Sequence, residues 1–421
     1  MQQLAALELG LVSPTTCCLV ILLSIFSCFD LQIIQAAGFI LPENVSFPAL
    51  FMFGDSIVDT GNNNYIVSIA KCNFAPYGRD FPEGKPTGRF SNGKVPSDLI
   101  AEALGVKELL PPYLDPTLQI EDLLTGVNFA SGGAAFDIIA PEVLSAFTMS
   151  DQLEMFKQYI EKLKAVVGEE KTATILAESA YIICAGSNDL AGYFITPTRK
   201  MDYDAPSYTH LMVQMATSFI RESVQGRSFD FCWVSRSANG VAHKLVIYGL
   251  SSLSCFAEAM PRWLADSVVF DQELHQLGAR NIGVINAPPV GCVPFQRTVN
   301  GGKVKGCAEN YNAAAKMFNA KLQPQIHWLK KELPHTRLVY IDVYYPLLDI
   351  IQRPHLYGFE ESTKGCCGTG SIELSILCND LNPCTCEDAS KYVFWDSYHP
   401  TEKAYAILVD ILIKEFTKSF V

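Results

Sequence analysis

Three short sets of residues carry the groups needed to cleave an ester by acyl transfer. Ser56 follows Gly54 and Asp55 at the end of an apolar run, and Asn188 follows Gly186 and Ser187 at the end of another. Asp396 stands three positions before His399, which is followed by Pro400. Hydrolysis through a serine needs a base within hydrogen-bond reach, a group that orients that base, and donors for the developing oxyanion. Ser56 offers the hydroxyl and His399 the imidazole. Asp396 can hold the ring Nδ1, fixing the tautomer and stabilising the imidazolium. The Asn188 side-chain amide and the backbone N–H of Gly132 or Gly133 can supply donors. Taken singly, each set also has a plainer reading. Ser56 can cap a following helix, Asp396 can cap a helix beside a surface His399, and Asn188 and the glycines can serve in turns. The remaining histidines, His210, His243, His275, His327, His335 and His355, fall on helix faces, in loops or in an aperiodic segment.

These groups need a scaffold that brings distant parts of the chain to one edge. Residues 49–53 are five apolar residues between Pro48 and Gly54, a buried strand too short for a helix. Similar runs at 126–130, 180–185, 281–286 and 338–342 give five strands. Between them, residues 95–104, 149–167, 207–220 and 310–333 have helical periodicity, and a last helix starts near Thr401. Alternating strands and helices imply a parallel sheet covered on both faces and joined by right-handed crossovers. Four of the five strands end in clusters of Gly, Ser, Asn or Pro, so a polar rim is expected along one sheet edge, where open α/β sheets bind ligands. The Gly/Pro/Asn-rich residues 74–94 read as a loop of the kind that borders a site.

Composition narrows the function. A net charge of -12, with no run of Lys or Arg, argues against nucleic acid or anionic membrane surfaces as partners. No zinc-spaced His/Cys cluster, phosphate loop or His-Glu-x-x-His helix occurs, so neither a metal nor a nucleotide cofactor is expected. Residues 17–29 form an apolar stretch too short to span a bilayer and followed by small residues. We read residues 1–37 as a secretory signal peptide, although no Lys or Arg precedes the apolar stretch. No stable membrane insertion is expected after its removal. Asn44-Val45-Ser46 is a glycosylation sequon, with Asn44 the acceptor. Of 14 cysteines, nine lie outside both the signal and the aperiodic segment. Cys184 falls in a buried-strand pattern and reads as a free core thiol. The other eight (Cys72, Cys292, Cys307, Cys366, Cys367, Cys378, Cys384 and Cys386) suffice for four disulfides in an oxidising compartment, with open connectivity.

In order along the chain, GDSxxDxGNNN (54–64), GVNFASGG (126–133), GSND (186–189), APPVGC (287–292) and DSYHP (396–400) resemble the GDSL (SGNH) esterase/lipase family, in particular its secreted plant branch. The resemblance runs from Phe47 to the C-terminus. It implies a flavodoxin-like three-layer α/β/α sandwich around a parallel five-stranded sheet. It also implies Ser56 as nucleophile, His399 as general base and Asp396 as its orienting partner. The oxyanion hole would then be the N–H groups of Ser56 and of Gly132 or Gly133, together with the Asn188 amide. The Gly-x-Ser-x-Gly elbow of other lipases is absent, as in that family.

The expected protein is a single hydrolase domain over residues 38–421. It is read as a monomer secreted to the apoplast or cell wall and acting on acyl lipids or other acyl esters. An acyltransferase, a carbohydrate deacetylase and a catalytically silent secreted binding protein are the competing readings. One departure stands out. In the resembling family the helix at 207–220 runs almost directly into a segment like residues 273–280, whereas here residues 221–271 intervene without steady periodicity. We read them as a translated, unspliced intron, against the alternative of a lineage-specific surface insertion.

Overall fold

The computed structural model describes residue 41 and residues 45–220 and 274–420. The signal peptide (1–37), the sequon at Asn44 and the insert 221–271 lie outside the described residues. Four strands form one parallel sheet in the order β1 (Leu50–Gly54), β2 (Ala180–Cys184), β3 (Asn281–Ile285) and β4 (Arg337–Ile341). They pair in register from Leu50 with Ala180 to Ile285 with Ile341. The expected fifth strand, 126–130, lies along the free edge of β1. It is joined there by a parallel bridge between Met52 and Asn128, by Phe129 N–H to the Met52 carbonyl (2.9 Å) and by Ser131 N–H to the Gly54 carbonyl (3.0 Å). Its other edge is held by Asn128 N–H on the Pro111 carbonyl and Tyr113 N–H on the Asn128 carbonyl, both at 2.9 Å. Counting this run second in the chain, the lateral order is 2-1-3-4-5, the flavodoxin-like arrangement. A separate two-stranded parallel sheet pairs β5 (Glu361–Gly365) with β6 (Tyr392–Phe394).

The main helices are α1 (Pro96–Ala103), α2 (Ile139–Leu144), α3 (Met149–Val167), α4 (Ser187–Ile195), α5 (Ala205–Ile220), α6 (Glu309–Glu332), α7 (Tyr344–Gln352) and α8 (Glu402–Lys418). Alternation along the strands sends residues to two cores. Phe51, Phe53, Tyr181 and Leu338 face one layer, where Phe156 and Tyr159 of α3, Phe219 of α5 and Phe318 of α6 fill the space. Gly283 faces the other. A Cβ there would meet Ile182, Ile341 and Phe416 of α8, so the missing side chain lets α8 approach the sheet. With α1 packed on α8, both faces are covered and β1, β2 and β3 are buried throughout, which explains their unbroken apolar runs, while β4 at the sheet edge is buried only in part.

Three of the four expected disulfides form: Cys292–Cys307, Cys366–Cys386 and Cys367–Cys378. The fourth does not. Cys72 is buried with its thiol against the Gly88 carbonyl, whereas Cys384 is exposed, so the remaining two thiols sit in different environments. Cys184 is a buried free thiol at the end of β2, as its strand pattern suggests.

Candidate active site

β1 delivers the serine. The strand ends at Gly54 with φ +147°, where a Cβ would stand 2.0 Å from the Cys184 carbonyl oxygen, so no side chain fits the turn. Gln152 of α3 reaches across to clamp this residue: its Oε1 accepts the Gly54 N–H and its Nε2 donates to the Gly54 carbonyl, both at 2.8 Å. Asp55 N–H donates to the Cys184 carbonyl (3.1 Å), and the Asp55 carboxylate accepts from Ile57 N–H (3.0 Å). The chain then leaves in a turn, and no helix starts at Ser56, so its hydroxyl does not serve as a cap. It points instead at His399, with 2.7 Å between Oγ and Nε2.

His399 is buried rather than on the surface, and Phe90 lies against its ring with 4.9 Å between centroids. Its Nδ1 lies 2.8 Å from Asp396 Oδ2 and 3.0 Å from Oδ1. The helix cap there is Thr401, whose Oγ1 accepts the Ala404 N–H of α8, which leaves Asp396 available to the histidine. Asp396 is fully buried and well supplied with donors. Its Oδ1 accepts the N–H groups of Tyr398 (2.8 Å) and His399 (2.7 Å), and Oδ2 accepts the Tyr77 hydroxyl (2.8 Å). These bonds fix the carboxylate in the plane that faces the imidazole.

The oxyanion candidates divide. Asn188 stands at the start of α4, half-buried, and one amide hydrogen goes to the Ala134 carbonyl (2.9 Å), which leaves the other available. Gly132 N–H donates to Asp59 Oδ2 (2.9 Å) and is therefore committed to the scaffold, a correction to its expected place among the donors. The N–H groups of Gly133 and Ser56 have no acceptor among the described residues. Ser56 after β1 and Asn188 after β2 thus follow the ends of adjacent strands where the strand order reverses, the ligand crevice of open α/β sheets.

Supporting residues hold this rim from below. Asp59 Oδ1 also accepts the N–H groups of Gly61 and Asn62. Asn62 Nδ2 donates to the carbonyls of Asn128 and Ala130, and Asn63 Nδ2 to those of Ala70 and Gly132. Asp189 accepts the N–H groups of Phe136 and Asp137, tying α4 to the loop that carries Gly133. Burial pushes the Asp55 and Asp189 carboxyls up to about 7 and that of Asp59 up to about 6, against the pull of the N–H donors each accepts. Sequence reasoning missed Gln152, Asp59, Asp189 and Tyr77 as parts of the site. The Asn62-Asn63-Asn64 run was a visible signal without an assigned role. Among the described residues, no group of three or more His, Cys, Asp or Glu side chains is placed to hold a metal ion.

Ser56, His399 and Asp396 therefore lie in one hydrogen-bonded line. The profile of the GDSL-like Lipase/Acylhydrolase family matches residues 50–234 and 267–412. The chain belongs to that family. Among curated relatives from Arabidopsis thaliana, GDSL esterase/lipase EXL3 is 45% identical over 381 residues, covering 90% of this chain and 91% of its own. A second Arabidopsis GDSL esterase/lipase is 44% identical over 381 residues, covering 90% and 89%. Another is 46% identical over 373 residues, covering 89% and 91%. These GDSL relatives align along nearly their whole length, so the fold described above is that of the family, a three-layer α/β/α hydrolase.

Proposed function

We propose that this GDSL protein is a secreted serine hydrolase that cleaves acyl esters by way of a Ser56–His399–Asp396 triad and an acyl-enzyme. Membership of the family makes it a carboxylic ester hydrolase. The observation that carries the finer reading is the continuous chain of contacts from Ser56 Oγ through His399 to Asp396, at 2.7 Å and 2.8 Å. His399 Nε2 takes the Ser56 proton as Oγ attacks the ester carbonyl, and Nδ1–H stays on Asp396. The oxyanion is held by the N–H groups of Ser56 and Gly133 and the second amide hydrogen of Asn188. His399 then protonates the leaving alcohol, and water activated by the same nitrogen releases the acid. Among the described residues no helix is long and apolar enough to cross a membrane. Secretion by way of residues 1–37 to the apoplast or cell wall, glycosylation at Asn44 and a monomeric state complete the proposal.

The test is hydrolysis of p-nitrophenyl acetate and longer acyl esters by wild type and Ser56→Ala, with and without a competing acceptor alcohol. Turnover to free acid that Ser56→Ala abolishes supports the hydrolase. Transfer to the alcohol in preference to water would favour the acyltransferase. Stably folded protein without turnover would favour a silent binding protein.

We further propose that residues 221–271 interrupt a helix that is continuous in the natural protein. Two observations support this. The family profile leaves 235–266 unmatched, and Leu274 N–H lies 3.3 Å from the Phe219 carbonyl at the end of α5. Excision of 221–271 would bring Leu274 to the fourth position after Phe219, the spacing of an α-helical hydrogen bond.

A further inference from the structure

We propose that Tyr77 is a positioning residue for the triad, whose hydroxyl on Asp396 sets the pH at which His399 acts as a base. The inference rests on the triad reading given above. Tyr77 belongs to none of the five sequence blocks. It lies in the Gly/Pro-rich loop 74–94, 319 residues from Asp396 along the chain, yet its hydroxyl is 2.8 Å from Asp396 Oδ2. Both residues are fully buried, and the tyrosine ring is enclosed by Phe74, Phe90 and Trp395.

The direction of the bond is fixed by a third partner. Ser375 N–H donates to the Tyr77 oxygen at 2.9 Å, so the phenolic hydrogen is left to point at Asp396. Ser375 is itself held in the left-handed region at φ +49°, inside the loop closed by Cys367–Cys378. Its hydroxyl bridges back to the carbonyls of Ile69 and Lys71. A strained, multiply anchored residue thus orients the one neutral side chain that, among the described residues, donates to the Asp396 carboxylate.

The consequence for catalysis follows from charge sharing. Asp396 Oδ2 divides its negative charge between the Tyr77 hydroxyl and His399 Nδ1–H. Without the hydroxyl, that oxygen interacts more strongly with the imidazolium, and His399 keeps its proton to higher pH. Other titratable groups that face the pair are Asp55 after β1, Cys72 just before the 74–94 loop, Tyr398 beside Asp396, and Tyr405 on α8. Of these, Cys72 also interacts with Tyr77, and all four keep their own side chains in Tyr77→Phe.

The experiment is the pH profile of kcat/KM for p-nitrophenyl acetate in wild type and Tyr77→Phe, with thermal unfolding of each as the folding control. The acid limb of Tyr77→Phe is expected to move up by about half a unit or more, which lowers kcat/KM on that limb about threefold. An unmoved or downward-shifted limb overturns the proposal. Should Tyr77→Phe fail to fold, 3,5-difluorotyrosine at position 77 keeps the shape and strengthens the donor. Its acid limb must move down, and an unmoved or upward-shifted limb overturns the proposal. Failure of the triad reading is seen separately, as turnover that survives Ser56→Ala.

Discussion

Asn188 gives one amide hydrogen to the Ala134 carbonyl, and in the proposed mechanism the other is the donor to the oxyanion. Asn188→Ala removes both. By analogy with other oxyanion donors, kcat should fall about 10²–10³-fold with little change in KM; steady-state kinetics check this, and a loss below tenfold contradicts the assignment. Asp396→Asn keeps the shape of the triad but permits the wrong tautomer of His399, and kcat should fall by roughly 10⁴. Ser56, His399, Asp396 and Asn188 could be picked out of the sequence because each sits in a short block whose residue types already suggest the chemistry. Gln152 and Tyr77 could not. Gln152 lies 98 residues from the Gly54 it clamps, and nothing in the periodicity of α3 distinguishes it from a surface glutamine.

Elements fix the site through their ends and their connections. The loop 74–94 carries almost no regular structure, and a buried ion pair ties it to α1. Arg89 Nε and Nη2 donate to the two carboxylate oxygens of Asp98 at 2.7 Å and 2.8 Å. Asp98 also accepts the N–H groups of Val95 and Leu110. Arg89→Met leaves that carboxylate buried without its cation and should cost about 3–5 kcal/mol of stability. Chemical denaturation measures the loss, and a change below about 1 kcal/mol contradicts the account. The α5 connection gives a second prediction. A chain lacking residues 221–271 should fold with more helix and a higher melting temperature than the full chain, by circular dichroism and thermal unfolding. Lower stability in the shortened chain, or a peptide containing Trp233 or Trp263 from the natural protein, contradicts excision. Strands and long helices were readable from sequence because burial on both faces leaves unbroken apolar runs and one-face burial leaves a 3.6-residue period. Disulfide partners were not, since pairing depends on which loops meet in space; Cys72, turned inward onto Gly88, has the same sequence signal as the cysteines that pair.

Across the whole molecule, buried carboxyls make stability depend on pH with a definite sign. Asp55 and Asp189 are pushed up to about 7 and Asp59 to about 6, whereas in the unfolded chain each titrates near the ordinary value of 3.8. Between those limits the folded protein binds protons that the unfolded chain has released, so stability falls as pH rises from about 4 to 7. Each unit of difference is worth about 1.4 kcal/mol. The net charge of -12 acts in the same direction, because self-repulsion grows as carboxyls ionise. Glu361 and Glu373, where hydroxyl and N–H donors from Thr363 and Thr369 outweigh burial and hold the carboxyls below their ordinary range, oppose this only at more acidic pH. The melting temperature should therefore be higher near pH 5 than near pH 7.5, as suits a protein proposed to work in the plant cell wall. An equal or higher value at pH 7.5 contradicts the sign.

The central claim is that Ser56 carries the acyl group. The most direct measurement is peptide mass spectrometry of the protein quenched during turnover of p-nitrophenyl acetate, with His399→Ala as control. An acetyl adduct is expected on the peptide containing Ser56 and is expected to be absent from His399→Ala. Turnover with no adduct on Ser56, or with the adduct on another residue, contradicts it.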